Sequence, residues 1–406
     1  MQILRLISSM APEGGGPAQG IRNSVPALAR LGVHNEVVCL DDPGKAESWS
    51  DPFPVHALGQ GSGPWHYSKA LIPWLVEQLP RFDAVINHGL WQYPSYAIRQ
   101  ACAMLKKQGK EIPYYVMPHG MLDPWFQKAP ERRLKAWRNS LYWALLERRT
   151  VADAAGLLFT CAEELRLARQ TFPSSYQPRN ELNVGYGISD VPELPKEERQ
   201  ERMEALGYTG SGVNTLLFLS RIHPKKGLLE LLGAYVRMHG QGCSLPKLLV
   251  AGPGMETPYG RQAAELAATL PPGTVQFLGM LKGRDKWAAF QTCEAFILPS
   301  HQENFGIAVV EALASGKPVI ITDQVNIWSE VIDAGAGLCS SDDIQGLIDA
   351  LSIWIRTPLK KRLEMGTAAS RLHREQFSVN GHAGQLLTSL KDSLNGKNID
   401  FSAVRR

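Results

Sequence analysis

Residues 293–322 of the 406-residue chain read CEAFILPSHQENFGIAVVEALASGKPVIIT. The apolar run CEAFILP is typical of a buried strand, SHQEN of a polar loop, and FGIAVVEALAS of a helix that ends at Gly316 and Pro318. Because KPVIIT is a second strand-like run, the stretch predicts one βαβ unit. Ligands of open α/β sheets bind at the carboxyl ends of the strands, so the loop SHQEN is expected at a ligand-binding edge.

Two glutamates, Glu303 and Glu311, stand eight residues apart across a mostly apolar run. We expect Glu303 at the helix start and Glu311 roughly 12 Å further along, at 1.5 Å per residue. The N–H groups of Asn304, Phe305 and Gly306 would then be the unpaired donors of the helix start, which favour an anion. A diphosphate with a hydroxyl-rich group at each end would use every part of the segment. The alternative is that Glu303 only complements the helix dipole and Glu311 is solvated.

Short apolar runs alternate with amphipathic stretches along almost the whole chain, which predicts βαβ units and largely parallel sheets. The alternation pauses at a passage rich in proline, glycine and charge, and then restarts. We therefore expect a first Rossmann-like domain over residues 1–190 and a second over residues 191–375. Residues 376–406 are expected to be a C-terminal helix and tail, for which a return to the first domain is one alternative. Residues 41–66 are expected to be a surface loop.

The composition is that of an ordinary globular protein, with 44% hydrophobic and 20% charged residues. A formal net charge of +4 is too small to indicate nucleic-acid binding. No apolar run approaches the roughly 20 residues that span a bilayer, and the arginine within MQILRLISSM argues against a signal peptide. We therefore expect a cytoplasmic protein. The six cysteines are scattered without a C-x-x-C pair, so they predict no metal site.

A basic pair follows the first strand-like run of the second domain, in SRIHPKKGLLELL. Arg221 and Lys226 are five residues apart across a turn that contains Pro224 and Gly227. Guanidinium and ammonium groups converging there would stabilise a leaving diphosphate as its charge develops. The alternative is a solvated basic loop.

The first domain carries three weaker signals at the same edge of its predicted sheet. APEGGGPAQG contains Gly15 and Gly16, which let the backbone approach a ligand, although the run is not a G-x-G-x-x-G fingerprint and fits a tight turn equally well. His119 follows a strand in VMPHGMLDPW, where a single histidine is more often structural. His88 and Trp91 lie in INHGLWQYPS, and Trp91 fits core packing as well as stacking on a ligand.

The motif E-N-F-G-I-A-V-V-E resembles the E-x₇-E pattern of retaining GT-B glycosyltransferases, and PSHQENFGIAVVEALASGKPVI resembles their group 1, family 4 (GT4) branch. The Arg221 and Lys226 pair matches the R-x₄-K of that family, and PHGMLDPW resembles a bacterial polysaccharide-biosynthesis subset. The resemblance covers nearly the whole chain. It implies an α/β fold of GT-B architecture, with two Rossmann-like, doubly wound parallel-sheet domains facing across a cleft.

Donor-binding and catalytic residues are implied by the resemblance on the second domain. Glu303 would hold hydroxyls of the donor sugar, and Glu311 would hold the nucleotide ribose. Arg221 and Lys226 would bind the diphosphate, with the helix N-terminus at Asn304, Phe305 and Gly306 beside it. Backbone groups near Gly279 would meet the base.

On the first domain the resemblance places Gly15 and Gly16 near the donor phosphate and the acceptor. It places His119 beside the reacting sugar carbon, touching a donor hydroxyl, as a further catalytic residue. It makes His88 and Trp91 candidates for acceptor binding.

One stretch departs from the family. Where the family often has P-N-G-[IV]-[DN], this chain reads VGYGIS. Gly187 and Ile188 match, whereas Tyr186 replaces the asparagine and Ser189 the acidic residue.

The implied activity is that of a retaining, metal-independent hexosyltransferase without a cofactor, which uses a UDP- or GDP-linked sugar as donor. The acceptor would be a saccharide or a lipid-linked saccharide, in exopolysaccharide, lipopolysaccharide or other glycoconjugate synthesis. No D-x-D stands at a strand end to bind a divalent metal. The alternatives are a hydrolysing epimerase of the same architecture and a non-catalytic nucleotide-sugar-binding protein. A Rossmann dehydrogenase is disfavoured because G-x-G-x-x-G is missing.

A basic segment runs from Lys128 to Arg149, with seven basic and two acidic residues. It also carries a stripe of apolar residues at helical spacing. The favoured interpretation is a helix packed on its own domain with a basic outer face. The alternative is peripheral contact with the anionic inner face of a membrane, which would suit a lipid-linked acceptor. The stripe consists of Leu134, Trp137, Leu141 and Leu145.

Overall fold

The structure of the protein is a computed structural model. Gly14 of the triple glycine, residues 129–132 of the basic segment and residues 397–406 of the expected tail lie outside the part that it describes. Within that part, no helix is both long and apolar enough to cross a membrane. The described ranges are residues 1–12, 15–128 and 133–396.

The first unit comprises Met1–Gly187 and the chain from Val379 onward. Its strands are β1 (Gln2–Ile7), β2 (His34–Cys39), β3 (Val55–Ala57), β4 (Ala84–His88), β5 (Tyr114–Met117), β6 (Gly156–Phe159) and β7 (Glu181–Asn183). They form a parallel sheet in the order β3-β2-β1-β4-β5-β6-β7.

The second unit comprises Ile188–Ser378. Its strands are β8 (Thr215–Leu219), β9 (Lys247–Ala251), β10 (Val275–Gly279), β11 (Ala295–Leu298), β12 (Val319–Thr322) and β13 (Gly337–Ser340). They form a second parallel sheet, in the order β10-β9-β8-β11-β12-β13.

Helices connect the strands in both units, as parallel pairing requires. Two π-helical turns, Trp143–Glu147 and His373–Phe377, interrupt them. The helices are α1 (Gly16–Arg30), α2 (Pro43–Ala46), α3 (Leu71–Gln78), α4 (Tyr93–Lys107), α5 (Trp125–Lys128), α6 (Arg133–Tyr142), α7 (Arg148–Asp153), α8 (Ala162–Thr171), α9 (Lys196–Ala205), α10 (Leu228–Gly240), α11 (Pro258–Ala267), α12 (Gly283–Thr292), α13 (Ile307–Ala314), α14 (Trp328–Asp333), α15 (Ile344–Arg356), α16 (Leu359–Leu372) and α17 (Val379–Leu394).

These two doubly wound sheets confirm the predicted fold class. The central strands β1 and β8 are buried along most of their length, and all four residues of β11 and of β12 are buried. That burial explains why both strands appear in the sequence as continuous apolar runs instead of alternating ones.

Helix α17 packs on the first unit. It lies against α1, where the Arg30 guanidinium donates to the Asn380 side-chain oxygen at 2.8 Å. Further along, the Tyr115 hydroxyl donates to Ser393 Oγ at 2.9 Å.

Each sheet has a switch point, where the chain reverses the direction in which it adds strands. The first sheet reverses between β1 and β4, and the second between β8 and β11. The loops at the carboxyl ends of these strand pairs diverge and leave a crevice, which is where open α/β sheets bind ligands. The two switch points are therefore the expected positions of a ligand-binding site.

Two expectations need correction. Residues 41–66 are not only a loop, because they contain α2 and the edge strand β3, a three-residue strand too short to show a pattern. The apolar stripe of the basic segment does not pack on its own domain. Its four side chains are all exposed, at Leu134, Trp137, Leu141 and Leu145.

Candidate functional site

The second switch point brings two loops together. One follows β8 and carries Arg221 and Lys226, and the other follows β11 and carries Glu303. Because β8 and β11 are neighbours in the sheet, the loops are bonded to each other, with the His301 N–H donating to the Lys225 carbonyl at 2.9 Å. Lys226 and Glu303, which are 77 residues apart in the sequence, thus lie on one surface.

Gly227 permits this close approach. It adopts φ +67° directly after the 3-10 turn Pro224–Lys226, and it caps α10. A Cβ atom at this position would lie 2.0 Å from the Pro299 carbonyl oxygen at the end of β11. Since backbone atoms cannot yield cheaply, only glycine fits both the conformation and the space.

Lys226 and Glu303 form a direct ion pair between the two loops. The Glu303 backbone is also held, because its N–H donates to Gln324 at 2.9 Å and its carbonyl accepts from Asn326 at 3.0 Å. The structure therefore brings together two of the predicted site residues. Arg221 lies exposed on the same loop and pairs with no side chain in the described part of the protein.

Helix α13 begins later than predicted. Gly306, at φ +77°, is its N-cap, and the first helical residue is Ile307. Glu303 and Asn304 therefore precede the helix, and Glu303 forms a parallel bridge with Val325 instead of complementing the helix dipole. The N–H groups of the first helical turn are those of Ile307 and the two residues after it, since the Val310 N–H donates to Gly306.

Phe305, another predicted donor-binding residue, is only 5% exposed. Its ring packs edge-to-face on Phe377, with the centroids 5.6 Å apart. Its side chain thus anchors the loop, and a ligand would meet Phe305 through its backbone.

Glu311 lies in the second turn of α13 with its side chain 13% exposed. Its carboxylate pairs with the Lys286 ammonium of α12 at 2.6 Å. Burial raises the pKa of Glu311, and the charge of Lys286 opposes that shift. The alternative of a solvated Glu311 is therefore wrong. Lys286 has no motif that could have identified it in the sequence.

Gly279 ends the edge strand β10 with φ +69° and is exposed. Its carbonyl accepts a hydrogen bond from the Gly252 N–H at 2.8 Å, which ties the ends of β10 and β9 together. The predicted base contact near Gly279 therefore lies two strands away from β8, the strand at the switch point.

In the first unit, the glycines open α1 after β1. Gly15 is the N-cap, at φ +83°, and the Gly16 carbonyl accepts from the Tyr186 hydroxyl at 2.5 Å. A Cβ at Gly20 would lie 2.3 Å from that hydroxyl. The tyrosine that departs from the family motif thus packs beneath the start of α1.

A chain of three buried or half-buried side chains lies at the first switch point. The Arg5 guanidinium of β1 faces His88 Nε2 of β4 at 3.5 Å, and His88 Nδ1 lies 3.0 Å from His119 Nε2. Arg5 is 2% exposed, donates its Nε–H to Asn35 and has no partner for its Nη2 among the described residues. Arg5 was not predicted as a site residue, because it stands inside the apolar run of β1.

This order of donors assigns the tautomers. Arginine only donates hydrogen bonds, so His88 Nε2 accepts and His88 carries its proton on Nδ1. That proton is donated to His119 Nε2, which leaves His119 with its own proton on Nδ1. Burial, aided by Arg5, lowers the pKa of His119 to about 3, and burial lowers the pKa of His88 well below its usual value. His119 is therefore a neutral donor.

We expect ¹⁵N NMR of histidine-labelled protein to show both rings neutral and protonated on Nδ1 from about pH 8 to pH 5. His88→Gln and His119→Gln variants assign the two ring signals. A cationic His119 ring at pH 6, or a His119 protonated on Nε2, would contradict the assignment.

Two carboxylates position these histidine and tryptophan segments. Glu164 accepts from the Gly120 N–H at 2.5 Å, holding the turn in which His119 adopts φ +52°. Glu147 accepts from the Trp91 N–H at 2.7 Å, where Trp91 adopts φ +69°. Backbone in this strained region persists when surrounding contacts enforce it, and such positions cluster at functional sites.

The predicted acceptor residues are engaged within the protein. Both ring nitrogens of His88 face protein groups, and the residue is 7% exposed. Trp91 donates its Nε1–H to the Met121 carbonyl at 3.3 Å, and its ring lies about 6 Å from the rings of Trp143 and Phe172. Since their ring nitrogens face groups of the protein, His88 and Trp91 are placed to support the surface beside them. Within the ranges described, no three His, Cys, Asp or Glu side chains converge as a metal site.

Models of known protein families match both units of the chain. A family model described as Glycosyl transferases group 1 matches residues 208–372, and one described as Glycosyl transferase 4-like domain matches residues 15–179.

Curated relatives match over parts of their length. A phosphatidyl-myo-inositol mannosyltransferase of Mycolicibacterium smegmatis is 31% identical over 43% of this chain and 44% of its own. A D-inositol 3-phosphate glycosyltransferase of Geodermatophilus obscurus is 29% identical over 57% of this chain and 51% of its own. The chain thus spans about half the length of the curated relatives it matches.

Solved structures match over nearly the whole chain. Anabaena HepE in complex with UDP superimposes with a TM-score of 0.74 at 17% identity, covering 97% of this chain and 100% of that one. The sucrose-phosphate synthase of Thermosynechococcus elongatus gives a TM-score of 0.71 at 18% identity, covering 98% and 100%. At these identities the likeness shows a shared fold.

Proposed function

Because the chain belongs to the group 1 (GT4) glycosyltransferases and has the GT-B fold, we propose that it transfers a hexose from a nucleoside-diphosphate sugar to a hydroxyl group. The acceptor is a saccharide or a lipid-linked saccharide, in the synthesis of a polysaccharide or other glycoconjugate. The transfer retains the anomeric configuration and needs no metal ion.

The observation that carries the proposal is the meeting of Lys226 and Glu303 at the second switch point, with Glu311 eight residues further along. Lys226 and the exposed Arg221 supply positive charge for a diphosphate. Glu303 supplies acceptors for sugar hydroxyls, and Glu311 for ribose hydroxyls. These groups offer partners for the diphosphate, the sugar and the ribose of a nucleoside-diphosphate sugar.

The leaving diphosphate gains negative charge as the bond to the sugar breaks. Arg221, Lys226 and the N–H groups at the start of α13 stabilise that charge, a role that a divalent metal has in other enzymes. No carboxylate acts as a nucleophile, because Glu303 is assigned to hydroxyls. The acceptor's proton passes to the leaving diphosphate oxygen on the same face of the sugar, which gives retention. His119 donates its Nδ1–H to a donor hydroxyl.

An acceptor saccharide has a second candidate place besides the surface near His88 and Trp91. A depression of about 780 Å³ opens at the carboxyl edge of β1 and β2. Asp41, held there by Ser9 Oγ at 2.6 Å and the Met10 N–H at 2.7 Å, offers a fixed acceptor for hydroxyls. Trp49 lines the same depression and offers an aromatic face.

The proposal is tested by screening nucleoside diphosphates and their sugars, UDP-glucose first, for thermal stabilisation and then for turnover with saccharide acceptors. NMR of the first-formed product gives its anomeric configuration. A hydrolysing epimerase would release nucleotide without an acceptor, and a binding protein would be stabilised without turnover. An inverted product would overturn retention alone.

The two glutamates are expected to separate binding from turnover. Glu311→Gln should weaken nucleoside-diphosphate affinity about 10- to 100-fold, since a charged hydrogen bond contributes ~1.5–3 kcal/mol. Glu303→Gln should leave that affinity within about threefold and lower turnover with the sugar donor. Isothermal titration and initial rates measure the two effects.

Glu364→Gln is the matched control, because Glu364 is an exposed acid of the same unit. Lys286→Met combined with Glu311→Gln shows how much of the loss comes from leaving Lys286 unpaired. Unchanged affinity and turnover in both glutamate variants would refute the site.

A further inference from the structure

The α6 face, defined as Leu134, Trp137, Leu141 and Leu145, is an apolar stripe without a partner among the described residues of its own unit. These side chains are 87%, 71%, 48% and 59% exposed. They recur every three or four residues along α6 and the π-helical turn after it, so they lie along one side of the helix. Monomeric proteins rarely expose large contiguous apolar patches, and the patches that are exposed mark interaction sites.

In the described part of the segment, the exposed charges around the α6 face have a single sign. Lys135, Arg138, Arg148 and Arg149 are all exposed, and none of them forms an ion pair with a side chain in the described ranges. Glu147, the acidic residue in the described part of the segment, is 1% exposed and points inward to Trp91 and Ser95. Among the described residues, the surface around the stripe is therefore basic.

We propose that the α6 face docks the protein on an anionic lipid surface. The stripe would enter the boundary between headgroups and acyl chains, with Trp137 at the depth that tryptophan prefers and the basic side chains on lipid phosphates. A second copy of the chain suits the face less well. A twofold interface sets a patch against itself and would bring the unpaired cations together.

A lipid surface also suits the proposed function, because it would present a lipid-linked acceptor. Vesicle binding needs neither donor nor acceptor, however. A failure to bind vesicles would therefore leave the sugar transfer standing, and a failure of transfer would leave the docking standing.

The test is cosedimentation of the full chain with vesicles of phosphatidylcholine alone, or of phosphatidylcholine and phosphatidylglycerol in equal parts. We expect binding at least about tenfold tighter to the anionic vesicles, weakening as salt is added. Lys135→Gln with Arg138→Gln should weaken it roughly 25-fold, at about 1 kcal/mol for each charge removed. Trp137→Ser with Leu141→Ser should weaken it at least about tenfold.

Matched controls lie on α16 of the second unit, where Leu359 and Leu363 are 63% and 65% exposed. Leu359→Ser with Leu363→Ser, and Lys360→Gln with Lys361→Gln, should bind vesicles as the unchanged protein does. Circular dichroism verifies folding of each variant.

Three outcomes would overturn the proposal. One is equal or absent binding to the two kinds of vesicle. Another is unchanged binding of the Trp137→Ser, Leu141→Ser variant. The third is a dimer in analytical ultracentrifugation that this variant converts to a monomer, because a second copy would then cover the α6 face.

Discussion

Replacing Lys226 by alanine is expected to lower turnover about 10²- to 10³-fold, equivalent to ~3–4 kcal/mol of transition-state stabilisation. Lys226 carries the ammonium paired with Glu303, and its side chain is only 12% exposed, so water replaces it poorly. Because the diphosphate gains charge as it leaves, kcat and kcat/KM should fall together. The measurement is the initial rate of nucleoside-diphosphate release, with the donor that stabilises the protein most.

Lys225→Ala is the control for this variant. Lys225 lies in the same 3-10 turn and donates to the Gln302 side-chain oxygen at 3.2 Å, not to Glu303. Its loss should change the rate by only about twofold, the scale of an ordinary surface substitution. Lys226→Arg, which keeps the charge, should restore part of the rate. If Lys226→Ala turned over normally, the assignment of this cation to the leaving group would be wrong.

Replacing Gly227 by alanine is expected to destabilise the second unit by roughly 3 kcal/mol. The added Cβ would lie 2.0 Å from the Pro299 carbonyl oxygen, so the loop after β8 must move away from the end of β11. Of this total, ~1–2 kcal/mol comes from the positive φ, which is unfavourable for a residue with a side chain. The rest comes from overpacking by the added Cβ. Denaturant unfolding measures the loss, and calorimetry of nucleotide binding shows whether the separated loops still hold the ligand.

Gly242→Ala distinguishes crowding from backbone strain. Gly242 has a similar φ of +78° in the same unit, but a Cβ there would meet no atom within 4 Å. It should cost only the ~1–2 kcal/mol of the left-handed conformation and leave nucleotide binding intact. Equal losses in the two variants would show that contact between the loops does not depend on Gly227.

The βαβ unit that carries the two glutamates could be predicted closely from local patterns. The buried runs before and after the helix are β11 and β12, and the helix ends where Gly316 adopts φ +68°. Its start was misplaced because FGI continues the apolar pattern of α13. Gly306 instead caps the helix in the left-handed conformation.

Weak local signals explain the elements that were missed. Strands β3, β7 and β13 have only three or four residues each, and most of those residues are only partly buried, unlike the four buried residues of β11 and of β12. Such short strands carry no readable periodicity, and their pairing with longer neighbours decides that they form.

The sequence by itself determined most of the succession of strands and helices, the two sheets and the loops on which Arg221, Lys226, Glu303 and His119 would lie. Periodicity, glycine positions and motif spacing are local properties, so they can be read without knowing which segments meet. Only the tertiary structure decided the partners. It paired Lys226 with Glu303 and Glu311 with Lys286, and it placed Arg5 behind His88 and His119.

It also turned the α6 face outward, against the favoured prediction. An amphipathic helix has the same sequence pattern whether its apolar side faces a core or a membrane. What lies beside a helix depends on contacts between residues distant in the chain, and the burial and charge of those contacts are properties of the assembled fold alone.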